Sequence, residues 1–233
     1  SGSALCADPE VGENVIAMSL STQGGTVVPV DENASALRPA IVWNDLRCGE
    51  EAAAFVREQK DAARMYEKTG WALSDGLPAM QLRWLGAHEP EVFRRAARFA
   101  TVPDYLSLKL TGIAATDPSN AGIDQLYDIR RGCCDAELLR FAGVTEAQLP
   151  KLVHSGGIIG RLTPEAAAAL DLSERCVLAA GAHDQYAAAL GVGAYRKGDI
   201  LIGSGTCWVI TALDDHPDFS SGLAQSAAAV PGM

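Results

Sequence analysis

The chain predicts an α/β fold, and three observations lead there. Short β-branched runs alternate with alanine- and leucine-bearing helical stretches along most of its length. Several of those runs stop at clusters of small polar residues, and glycine or proline stands at many of the changeovers. In folds of this kind ligands gather outside the carboxyl ends of the strands, so the polar clusters are the places to look for chemistry.

Taken in order, Val15 to Leu20 reads as a strand ending on Ser21, Thr22, Gln23, Gly24 and Gly25. Val27 to Val30 reads as a second strand. Ala40 to Trp43 reads as another apolar strand-like run, halted by Asn44 and Asp45. The pattern from Glu50 to Gln59 is helical, and Asp61 is placed to cap a further helix that Gly70 stops. Pro78 and Pro90 sit where prolines open helices. Phe99 to Val102 reads as a strand, followed by a helix from Asp104 to Leu110 that Gly112 closes. Thr116 to Ala121, TDPSNA, reads as a polar turn. Asp135 to Phe141 and Thr145 to Leu149 read as helical, Ile158-Ile159 as a brief strand, and Thr163-Pro164-Glu165 as a helix start.

The most informative stretch runs from Val177 to Ala212. A buried strand there delivers Asp184 at the mouth of a small-residue helix. Further on, Asp199 to Gly203 and Cys207 to Ala212 alternate as the arms of a β-hairpin tipped by Ser204, Gly205 and Thr206. A carboxylate followed by a turn with free backbone amides suits phosphoryl transfer, which is mostly positioning and charge stabilisation. Asp184 equally suits the ordinary task of capping its helix, and the glycine-rich tip suits a plain hairpin turn.

Composition narrows the classes. With 48% apolar and 21% charged residues over 233 positions, the chain can bury a sizeable core. A net charge of −10 with scattered basic residues argues against a nucleic-acid surface. No long apolar run indicates a membrane span or leader, and the six cysteines lack metal-ligand spacing, so reduced thiols in a cytoplasmic protein are expected. Oligomeric state is left open, a homodimer included.

Four blocks resemble one family, the FGGY carbohydrate kinases. They are LRPAIVWNDLR at Leu37 to Arg47; HEPEVFRRAARFATVPDYLSLKLTG; TDPSNAG; and GAHDQYAAALGVG followed by GDILIGSGT. The resemblance implies a ribonuclease-H-like fold of the actin-like ATPase superfamily and phosphorylation of a sugar or polyol hydroxyl, a ketose such as xylulose first, with ATP and Mg2+. Asp184 would be the general base, orienting and deprotonating the attacking hydroxyl. Gln23, Trp43, Asn44, Asp45 and Gln185 would contact the sugar, and Gly203, Ser204, Gly205 and Thr206 would meet the ATP phosphates. Trp43 is equally the kind of aromatic that anchors a core, and Arg47 could pair with Asp45. His183 reads as structural.

One departure bears on substrate. Gly24 and Gly25 stand where xylulose kinases typically carry Met-His and glycerol kinases Arg-Glu, which leaves two readings: room for a larger polyol, or two glycines serving a tight turn.

The resemblance also sets an expected domain organisation. Residues 1–197 would form a sugar-binding domain lacking its opening Asp-x-Gly-Thr phosphate hairpin, and 198–233 the start of a nucleotide-binding domain. Such a piece would hold a substrate half-site with little kinase activity of its own. A non-catalytic sugar-binding or regulatory module on the same scaffold is the competing expectation.

Overall fold

The computed structural model describes residues 9–58, 62–205, 208–230 and 232. In chain order its elements are helix α1 (Pro9–Asn14), strand β1 (Ala17–Thr22), β2 (Val28–Val30), α2 (Gly49–Glu58), α3 (Ala62–Thr69), α4 (Pro78–His88) and α5 (Pro90–Arg95). There follow β3 (Arg98–Ala100), α6 (Val102–Thr111), β4 (Ala115–Thr116), α7 (Pro118–Ile123), β5 (Tyr127–Asp128), β6 (Cys133–Cys134), α8 (Ala136–Ala142) and β7 (Lys151–Leu152). The chain continues through β8 (Ile158–Arg161), α9 (Pro164–Leu170), β9 (Val177–His183), α10 (Asp184–Gly191), β10 (Ile200–Ser204) and β11 (Trp208–Ala212).

Among the described residues the largest sheet has the order β1-β9-β8. β1 runs parallel to β9, with Ala17 opposite Val177 and Thr22 opposite His183, and a bulge lies between Ser19 and Ser21. Gly181 permits that close pairing: a β-carbon there would stand 1.7 Å from the Leu20 carbonyl oxygen. β8 pairs antiparallel to β9 on the other side, from Arg161 opposite Val177 up to Ile158 opposite Ala179. Residues in β9 alternate between buried and half-buried, with Leu178, Ala180 and Ala182 turned inward, as a strand covered more fully on one face requires.

The main core lies beside this sheet. Val27, Ile41, Met65, Ala79, Leu82, Leu85, Phe99, Leu126 and Leu138 pack as one cluster. A second cluster of Leu162, Ala166, Ala167 and Cys176, with Val15, Met18 and Leu110 against it, closes the other side. Burying a leucine such as Leu85 contributes about 1.5–3 kcal/mol.

Helix ends follow the residues. Asp135 caps α8 by accepting from Glu137 N and Leu138 N, and Gly143 ends it at φ 76°. Thr163 caps α9. Lys68, in the last turn of α3, donates to both Asp135 and Glu137 at 2.8 Å and so ties α3 to α8. Cys48, Cys133, Cys134 and Cys176 form no disulfide, and burial pushes the thiols of Cys48 and Cys134 up to about 12 and about 11. No helix among the described residues is long and apolar enough to cross a membrane.

Three sequence expectations change. The Ala40 to Trp43 run forms no strand; only Ile41 bridges, to Val27, because the run supplies one pairing residue before Trp43 turns outward, 47% exposed. Trp43 is therefore not a core anchor. TDPSNA is not an open turn but the start of α7, because the Asp117 side chain accepts from Ser119 N and Asn120 N and Pro118 presets the first turn. The Asp61 cap and the Thr206 tip residue lie outside the described residues.

The start of α6 carries a buried acid. Asp104 is fully buried and accepts from Thr101 N and Thr101 Oγ1 in a reciprocal cap. Burial pushes its carboxyl up to about 7, against the Thr101 hydrogen bonds, which favour the charged form. A carboxyl raised in the folded state binds its proton more tightly there than in the unfolded chain. Its contribution to stability is therefore full below about pH 4 and lost as pH rises through 7. Asp104→Asn is expected to shrink the difference in unfolding free energy between pH 5 and pH 8, measured by urea denaturation at each pH.

Candidate active site

β1 and β9 are parallel neighbours, so they end at the same edge of the sheet, with Thr22 beside His183. Beyond them come the Gln23–Gly25 turn on one side and Asp184 on the other. Asp184 is the first residue of α10, whose N-cap is His183 at φ −57° and ψ 142°. The carboxylate is thus not spent as a cap, which removes the capping reading. Its side chain is 47% exposed, and Oδ1 lies 3.4 Å from His183 Nδ1. The His183 ring is mostly buried, and desolvation lowers its pKa against the opposing pull of Asp184 and Asp117, so the imidazole is neutral at neutral pH.

Gly24 and Gly25 join the three parts of the site. A β-carbon at Gly24 would meet Ile123 Cδ1 at 3.0 Å and His183 Cδ2 at 3.2 Å; one at Gly25 would meet Trp43 Cβ at 3.1 Å. Gly25 also has φ +74°, a conformation other residues adopt only with strain. Both glycines are buried, so they serve the turn and its packing, and the space they leave is already filled by protein. Gln23, by contrast, is exposed, with Nε2 3.4 Å from Thr26 Oγ1.

Past Trp43 the chain makes an exposed turn. Asn44 faces solvent. Asp45 accepts from Arg47 N at 3.0 Å, Arg47 Nε at 2.9 Å and an Arg47 terminal nitrogen at 2.7 Å. Arg47 holds the Asp45 carboxyl below the usual carboxylate range, chiefly through the side-chain hydrogen bonds. The Arg47 guanidinium also lies 4.9 Å over the Trp84 ring, which stacks on His88. Asp45 therefore orders its own turn.

Gln81, which the sequence reading passed over, anchors these loops from below. It is fully buried in α4, and its Nε2 donates to Gly25 O at 3.0 Å and Gly76 O at 2.9 Å, while Oε1 accepts from Val27 N at 3.2 Å. Gly76 in turn packs directly on Trp43, for a β-carbon there would lie 2.1 Å from Trp43 O. One amide thus links the Gln23–Gly25 turn, the loop at Gly76 and, through Gly76, the Trp43 turn. A glutamine inside the buried run Pro78 to Leu82 was the available signal, since a buried polar group must find partners.

The hairpin β10–β11 pairs Ile200 with Ala212 through Ser204 with Trp208, and it meets α10 at its tip. A β-carbon at Gly203 would stand 3.4 Å from Gln185 Oε1, one residue along from Asp184. Ser204 and Gly205 are exposed at the tip. The structure therefore brings Gln23, Trp43, Asp184, Gln185 and Gly203 together at one end of the β1–β9 pair.

Among the described residues the metal-ligating group is Asp214, Asp215 and His216. Lys197 Nζ already reaches those two carboxylates at 3.0 and 2.5 Å, so the group is a surface ion-pair network.

The α/β layers and a carboxylate at the end of a parallel strand define a domain built to present polar groups at one sheet edge, and its likeness to solved carbohydrate kinases places it in the ribonuclease-H-like, actin-like ATPase class. Residues 8–191 match the N-terminal domain of the FGGY family of carbohydrate kinases, and the chain belongs to that family. It is 32% identical over 186 residues to a xylulose kinase of Klebsiella pneumoniae, covering 80% of this chain and 38% of that protein. A gluconokinase of Bacillus licheniformis is 29% identical over 200 residues, covering 86% of this chain and 39% of that enzyme. The solved xylulose kinase of Rhodospirillum rubrum superposes with a TM-score of 0.90 at 28% identity, covering 99% of this chain and 48% of that one. The chain thus spans less than half the length of these relatives.

Replacing Gln81 by Leu leaves the Gly25 and Gly76 carbonyls without their buried donor. The expected loss is about 3 kcal/mol of unfolding free energy, measured by urea denaturation, with the Gln23–Gly25 turn showing faster amide hydrogen exchange than the β9 strand.

Proposed function

We propose that the intact protein phosphorylates a hydroxyl of a sugar or polyol with ATP and Mg2+, a ketose such as xylulose being the first candidate. The observation that carries this reading is the Asp184 carboxylate: it stands half-exposed at the end of parallel strand β9, uncommitted to capping its helix, while the tip of β10–β11 rests on the neighbouring Gln185. The relatives named xylulose kinase and gluconokinase support the substrate class.

In this reading Asp184 accepts the proton of the attacking hydroxyl, which Gln23, Asn44 and Gln185 hold in place. The exposed face of Trp43 forms the apolar side of the sugar site. Asp45 contributes the turn that sets Asn44 and whatever acceptor capacity Arg47 leaves it. Gly203, Ser204 and Gly205, with Thr206 beyond the described residues, would hold the nucleotide phosphates through backbone amides. The nucleotide supplies the transferred phosphoryl group. Magnesium would enter with those phosphates, since the carboxylates of Asp214 and Asp215 are engaged by Lys197. The first lobe would run to residue 197 and the second begin at 198, so the crevice would be closed by movement of one lobe toward the other.

Asp184→Ala in the intact protein is expected to lower kcat for sugar phosphorylation by at least about a thousandfold and to leave sugar affinity, measured by calorimetry, within about threefold. A variant that kept near-normal turnover would overturn the assignment.

A further inference from the structure

The structure assigns Ser119, held by Asp117, as a positioning residue for Asp184, acting through the backbone amide of His183. The inference rests on the reading of Asp184 as the base and names what aims it.

β8 pairs with β9 only as far as Ala179, and just past that pairing Ala180 N donates to Gly157 O at 2.8 Å. His183 lies beyond the end of the β8 pairing, at the last position of β9. A buried amide needs an acceptor, and here the acceptor is a side chain, Ser119 Oγ at 2.9 Å. That bond fixes the Ala182–His183 peptide, one residue ahead of Asp184, at the point where β9 becomes α10.

The Ser119 hydroxyl is itself held. It donates to Asp117 Oδ1, so its lone pair is turned toward His183. Asp117 Oδ1 also accepts from Ser119 N at 2.9 Å and Asn120 N at 3.2 Å, and Oδ2 accepts from Asn120 Nδ2 at 2.6 Å. Asp117, Ser119 and Asn120 are each at most 2% exposed. A hydroxyl that both receives and gives a hydrogen bond inside such a rigid turn has one orientation. The TDPSNA block therefore has a task beyond starting α7: its first turn supplies the acceptor for the amide at the end of β9.

The same residue meets a third segment. The carbonyl of Ser119 accepts from Ser226 Oγ at 3.3 Å. Ser119 thus joins α7, the β9–α10 junction and the segment that follows the hairpin.

The test uses Ser119→Ala and Ser119→Thr in the intact protein, with kcat and sugar KM measured under saturating ATP and hydrogen exchange read at the His183 amide. The expected result for Ser119→Ala is a kcat lower by about 10- to 100-fold, the scale set by misplacing a catalytic group by about 1 Å. Its sugar KM should stay within about threefold, and His183 should exchange at least about tenfold faster. Ser119→Thr, which keeps the hydroxyl, should restore both kcat and protection. A folded Ser119→Ala with kcat within about twofold of the unsubstituted protein overturns the inference. So does a lowered kcat with His183 still protected, or a slow Ser119→Thr whose His183 is protected. Should Ser119→Ala not fold, Asp117→Asn takes its place with the same readouts. An intact protein without sugar kinase activity, or an active Asp184→Ala, removes the catalytic reading, while the His183 exchange rate decides the placement of the amide independently.

Discussion

The parallel pairing of β1 with β9 sets which loops meet at the strand ends. Two parallel strands end on the same side of a sheet, so pairing Thr22 with His183 sets the Gln23 turn beside Asp184 although they lie far apart in the chain. The glycine at 181 allows the strands to approach across the bulge. Shift the register by one residue and every side chain in β9 changes face, which would turn Leu178, Ala180 and Ala182 out of the core.

Around that pairing, the loops of the site are held by buried polar groups rather than by apolar packing alone. Gln81 spans the Gly25, Gly76 and Val27 backbones, and Ser119 spans Asp117 and the His183 amide. Such groups are costly to bury unless every partner is present. A satisfied amide or hydroxyl therefore permits one arrangement of the loops where hydrophobic contact would permit several. Asp45 shows the same logic nearer the surface, its carboxylate engaged by Arg47 so that the turn carrying Asn44 is ordered.

Much of this was legible in the residues. The apolar run ending in Asp184, the alternating arms of the hairpin, the Thr163 cap and the glycine after α6 announced themselves through local chemistry, and the structure bears them out. Other features were not. Ile41 pairs and Trp43 does not, a distinction set by which neighbour lies alongside. Asp117 reads as a turn residue in sequence, because a cap and an Asx turn use the same side chain; the following turn of helix decides between them. Gly24 and Gly25 read equally as open space or as a tight turn until His183, Ile123 and Trp43 are seen to fill their surroundings.

The α/β class, the strand-end carboxylate and the arms of the hairpin follow from local propensity and from residue types at short spacing, and the motif blocks carry the resemblance to the FGGY family in the residues themselves. Folding in three dimensions sets the rest: Asp184 is not its helix cap, the two glycines are packed rather than open, and Gln81 and Ser119 hold the loops at the end of the β1–β9 pair. The holds made by Gln81 and Ser119 join residues more than fifty positions apart, and such contacts leave no periodic trace in the chain, because a single buried amide or hydroxyl acts through where it sits and not through any pattern it repeats.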